Sequence, residues 1–101
     1  MAEKVIVWKE KPAAQLRELL EFLEKEFSVS AAEKLLKQLE EKFARIKRYP
    51  ESGHSTPYKT VRRVRAGQHL NIFYRMHGSK IFIVFLFDGR QHPDKNPYRK
   101  K

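Results

Sequence analysis

Ile81-Phe82-Ile83-Val84-Phe85-Leu86-Phe87 decides the fold. It has no polar residue, is rich in β-branched and aromatic side chains, and is too short for a buried helix. A strand of this kind is central and covered on both faces. Strict alternation would send Ile81, Ile83, Phe85 and Phe87 to one side and Phe82, Val84 and Leu86 to the other. His77-Gly78-Ser79 precedes it as a tight hairpin turn, so Leu70 to Met76 is expected to pair with it antiparallel. Ala66-Gly67-Gln68 is a second turn, and the Arg-rich run from Tyr58 to Arg65 is expected as the strand before it.

Upstream of Gly53 the period changes. Ala13, Leu16, Leu20, Leu23 and Phe27, widened by Leu19, recur at helical steps behind a charged face of Arg17, Glu18, Glu21, Glu24 and Lys25. Pro12 suits the first turn of that helix. Ser30 and Glu33 have the spacing of a capping box, which predicts a second helix from Ser30 with the stripe Ala32, Leu35, Leu36, Leu39, Phe43 and Ile46. Pro50 limits it. The short link between the helices predicts an antiparallel hairpin. Val5-Ile6-Val7-Trp8 is a short strand ahead of both. The expected architecture is α+β: an N-terminal strand, an antiparallel helical hairpin, then a three-stranded antiparallel meander, with the hairpin on one face of a four-stranded sheet. The chain's own tail, strand curvature or a partner chain is expected to cover at least part of the other face.

The 101 residues are expected to form a single domain, 1–101, with 93–101 as a flexible tail. Residues 51–101 hold eleven Lys and Arg against three acids, while residues 1–50 hold eleven against nine, so +8 and +2 make up the net +10. That asymmetry points to a polyanionic partner, nucleic acid or an acidic protein. The chain contains no cysteine, which excludes disulfides, thiolate metal sites and cysteine nucleophiles. No apolar run approaches the ~20 residues of a membrane span, and residues 1–4 show no signal-peptide pattern, so a cytoplasmic protein without membrane contact is expected. No cofactor or metal is expected: the four histidines lack ligand spacing, and there is no Gly-rich phosphate loop or G-x-S-x-G elbow. His54, His69 and His77 are expected on the surface. Phe22 lies off the apolar stripe of its helix and is a candidate partner contact.

The order of elements, with Trp8, Pro12-Ala13, Ala31-Ala32, Ile46-x-x-Tyr49-Pro50-x-x-Gly53, Arg62 and Arg65 before Gly67, Asn71-Ile72-Phe73-Tyr74 and Phe87-Asp88-Gly89-Arg90-Gln91-His92-Pro93, resembles the RelE/ParE toxin superfamily over nearly the whole chain. The closing Phe87–Pro93 stretch looks more like the ParE, or plasmid-stabilisation, branch. The resemblance implies the toxin of a type II toxin–antitoxin pair, neutralised by a small cognate antitoxin. ParE-like members inhibit DNA gyrase; RelE-like members cut messenger RNA on the ribosome. A non-toxic binding module on the same fold is the third reading, and the oligomeric state is left open.

If the chain is a ribonuclease, Arg62, Arg65 and Arg90 are the candidate phosphate-binding cations, and His92 or Tyr98 moves the protons. For partner binding the candidates are Phe22, Arg62, Arg65 and Arg90. Two departures from the ribonuclease pattern favour gyrase: Asn71 stands where RelE-like enzymes carry an arginine, and Tyr98 lies farther from Arg90 than their catalytic tyrosine does.

Overall fold

The computed structural model describes residues 4–58 and 60–89. The elements are β1 (Val5–Trp8), α1 (Glu10–Glu26), α2 (Val29–Arg48), a 3-10 turn at Pro50–Ser52, β2 (His54–Ser55), β3 (Val61–Ala66), β4 (Leu70–His77) and β5 (Lys80–Asp88). They form a five-stranded sheet in the order β1-β5-β4-β3-β2, with the helical hairpin on one face. The α+β class and the β3-β4-β5 meander are those expected. The sheet has a fifth strand because β2, only two residues long, pairs through His54–Arg63 and Ser55–Arg62.

β1 joins β5 in parallel, from Val5–Lys80 to Trp8–Ile83. The all-apolar strand is therefore interior, between β1 and β4. Trp8 meets Phe43 of α2 edge to face at 5.5 Å between ring centroids, which ties the first strand to the second helix.

A bulge on β5 changes its expected alternation. Phe73 pairs with Phe85 but Tyr74 pairs with Ile83, so Val84 is an extra residue. Ile81, Ile83 and Leu86 consequently face the helices, in one core with Leu39, Ile46, Val64, Ile72 and Tyr74. Phe87 and Phe85 instead face outward, where Phe87 clusters with Val61 and Phe73. A strict period of two would have placed Phe85 and Phe87 with Ile81. Past the end of β1, the Leu86 N–H donates to Gln15 Oε1 of α1 at 3.0 Å, so a helix side chain satisfies that backbone donor.

Several boundaries differ from the sequence expectation, among them the β4–β5 turn, which is shortened to Gly78-Ser79 because His77 pairs with Lys80. The second helix starts at Val29, capped by Ser28, whose Oγ accepts from Ala31 N–H at 3.0 Å; the Ser30 box is already inside the helix. Phe27 lies beyond the end of α1 and is 64% exposed, so it leaves the core stripe; Leu36 is also exposed. Tyr58 is held out of β3 by a local turn, in which its N–H donates to Thr56 Oγ1 at 3.1 Å while that hydroxyl donates to Val61 O at 2.9 Å. Gly67 and Gly78 have φ of 64° and 59° at the two hairpin turns, the left-handed region that favours glycine. Among the described residues no helix is long and apolar enough to cross a membrane.

Candidate functional site

The β3 segment Val61-Arg62-Arg63-Val64-Arg65-Ala66 sets the site through its parity. Val64 and Ala66 belong to the core under the helices, so Arg62 shares their face, and Arg63 and Arg65 share the outer face. Arg62 Nη1 donates to Gly53 O at 2.9 Å and to Glu51 O at 3.2 Å. It is thus engaged in holding the turn after α2. Beside it, Tyr74 OH donates to Pro50 O at 2.7 Å and accepts from Gly53 N–H at 3.0 Å. Burial raises the Tyr74 phenol above its usual value of 10.0, while the Gly53 hydrogen bond and the Arg62 charge pull it partly back.

Arg63 is the cation that the sequence reading passed over. The signal was present: the apolar Val64 and Ala66 mark the inward parity, which leaves Arg63 and Arg65, not Arg62, as the outward pair. Arg63 Nη1 donates to Asn71 Oδ1 at 3.1 Å. Asn71 is a buried amide, 8% exposed, and its Nδ2 donates to Phe87 O at 3.3 Å. It therefore ties β3 to the end of β5 and fixes the guanidinium of Arg63 from below. At that same end, Gly89 N–H donates to His69 O at 2.6 Å.

Arg63 and Arg65 also line a cleft of about 490 Å³ at the sheet edge, with Lys42 and Arg45 of α2, Ser52 and His54. Among the described residues no carboxylate lines it. His54 is exposed, as expected, but stands opposite Arg63 in the β2–β3 ladder. Farther along the outer face, Lys9 Nζ lies 5.2 Å from the Phe82 ring centroid and Lys11 Nζ 5.3 Å from that of Phe85.

A larger groove, about 780 Å³, runs between the helical hairpin and the β3–β4 turn and includes Leu19, Leu23, Phe27, Leu35 and Leu70. Phe22, 48% exposed, packs edge to face on Phe27 at 6.1 Å close by. Lys34, Glu41, Lys42, Arg65 and Asp88 also line this groove, which adjoins the basic cleft through Lys42 and Arg65. The structure thus places Arg65 with Arg63 at the edge, Arg62 under the sheet, and Phe22 at the far end of the hairpin. Arg90, His92 and Tyr98 lie outside the described residues, as does the expected tail at 93–101.

The fold is shared with a solved chain described as "Chromosomal ParDE TA system from P. aeruginosa", with a TM-score of 0.69 at 18% identity over 85% of this chain and 96% of that one. At that identity the likeness speaks for the fold alone. No curated protein sequence matches significantly. The model of the family described as "ParE toxin of type II toxin-antitoxin system, parDE" matches residues 6–93. That match runs from β1 to beyond the end of β5, and the chain belongs to the ParE toxin family.

Proposed function

We propose that this chain is the toxin of a type II toxin–antitoxin module, that it acts by inhibiting DNA gyrase, and that a small antitoxin neutralises it. Membership of the ParE family, over residues 6–93, carries the reading. The site chemistry agrees with it. At Asn71 the sheet presents a buried amide that braces Arg63, where a ribonuclease of the related RelE type needs a cation to stabilise a charged transition state. A toxin that acts by binding has no such requirement.

The antitoxin is expected to set an apolar segment in the groove between the hairpin and the β3–β4 turn, against Phe27 and the neighbouring Phe22 packed on it, and to bring acidic residues toward the basic sheet. Electrostatic attraction would speed the encounter, and apolar burial would supply the affinity.

Induced expression in bacteria, read in parallel for gyrase-dependent DNA breaks and for transcript cleavage, tests the target. The purified protein should also block supercoiling by gyrase, and the antitoxin should restore it. Ribosome-dependent transcript cleavage with intact supercoiling would overturn the assignment.

A further inference from the structure

We propose that the cleft between α2 and the β2–β3 edge is a phosphate site that takes the backbone of a nucleic-acid strand. The inference is independent of gyrase as the target, because it concerns this chain alone and a strand of nucleic acid.

Two elements supply the charge. Lys42 and Arg45 are three residues apart on α2 and so lie on one helical face. Arg63 and Arg65 are two apart on β3 and so share a sheet face. Among the described residues, no Asp or Glu lines the cleft and none of these cations is in an ion pair. Glu41 and Asp88 border the adjoining groove that Lys42 and Arg65 also line, but the lining of the cleft itself is positive. The remaining polar lining, the Ser52 hydroxyl and the His54 imidazole, can donate hydrogen bonds to an anion without opposing its charge.

Arg63 is partly organised before any ligand arrives. Its bond to the buried Asn71 restricts a long side chain, which lowers the ordering cost on binding. Guanidinium forks match phosphate oxygens, and three of the four cations are arginines. Four cations on two elements exceed what one carboxylate side chain of a peptide can use. A nucleic-acid strand presents a phosphate at every nucleotide and so can engage several of these cations at once. The outer face beyond it carries further cations, Lys9 and Lys11, over the half-buried rings of Phe82 and Phe85.

Fluorescence anisotropy with short labelled oligonucleotides tests this on the isolated full chain, with separate arms for single-stranded DNA, single-stranded RNA and duplex DNA. If about four phosphates are neutralised, affinity should fall about 50-fold for single strands and 150-fold for duplex between 50 and 200 mM salt. In the double variant Lys42→Gln/Arg45→Gln the same salt step should cost only about 7- to 12-fold, because two contacts are gone. The control Arg17→Gln/Lys25→Gln removes the same charge from exposed positions of α1 outside the cleft, and should keep the parent's salt dependence. All four substituted residues are exposed, and circular dichroism melts check that both variants stay folded. Equal losses in the two double variants would overturn the proposal, since binding would then follow net charge alone. So would a flat salt response, or binding of polyglutamate but of no oligonucleotide.

Discussion

The Tyr74 hydroxyl sits against the backbone of Gly53, accepting its N–H at 3.0 Å from a ring that is fully buried beneath the helical hairpin. The close approach requires that residue 53 lack a side chain: a Cβ there would lie 2.9 Å from two ring carbons of Tyr74 and nearer still to its oxygen. The φ of Gly53 is −71°, so space and not backbone conformation demands glycine. With Arg62 bonded to the same turn, this contact joins the end of α2 to the middle of the sheet.

Removing either half of that contact should destabilise the fold. Tyr74→Phe leaves the Gly53 N–H without its acceptor and should cost about 1–3 kcal/mol. Gly53→Ala should cost a similar amount through overpacking. The double variant should be less harmed than the sum, because loss of the hydroxyl relieves part of the overlap. Urea denaturation of the four proteins measures the coupling; strict additivity would show that the contact is not shared.

Alkaline pH should act through the same phenol. Its folded value is raised above 10.0, chiefly by burial, so the neutral form is favoured in the folded state. The stability tied to this group is fully present below about pH 10 and is lost as pH rises through the folded value. The stability difference between the parent and Tyr74→Phe should therefore shrink above that pH. Denaturation curves for both proteins from neutral to alkaline pH check it, and a constant difference would count against the ionisation.

The position of the helix cap can be tested with two serines. Ser28→Ala should cost about 1 kcal/mol, because the Ala31 N–H loses its acceptor. Ser30→Ala, within the first turn and exposed, should stay within about 0.5 kcal/mol of the parent. Thermal melts that reversed this order would restore the capping box at Ser30.

Asn71 and Arg63 should be energetically coupled. Asn71→Ala removes both the acceptor for Arg63 and a donor to the Phe87 carbonyl. A double-mutant cycle with Arg63→Ala should give a coupling of about 0.5–1.5 kcal/mol. Replacing Arg65 in the same cycle should give less, since no bond joins its guanidinium to Asn71. Equal couplings for the two arginines would show that only charge, and not the bond, links the sheet to Asn71.

The chain order of strand, helix pair and meander follows from local chemistry that the sequence carries directly. The apolar spacing from Ala13 to Leu23 and from Ala32 to Ile46 is helical, Gly67 and Gly78 occupy turns that favour a left-handed residue, and Ile81 to Phe87 can only be an interior strand. The same is true of the basic charge on the second half. Which arginine faces which way was also within reach, because Val64 and Ala66 set the parity of β3.

Tertiary structure alone decided the rest. The parallel pairing of β1 with β5 joins residues far apart in the chain, and no local pattern specifies such a partner. The bulge at Val84 reverses the faces of Phe85 and Phe87, and it is visible only against the register of β4, since an all-apolar strand has no polar side to betray a slip. The basic cleft likewise needs α2 to come alongside β3: Lys42 and Arg45 lie off the apolar stripe of the second helix, and only packing sets them in one cleft with Arg63 and Arg65. Local backbone preferences act over a few residues, whereas the site draws its charge from elements that only the packed core brings together.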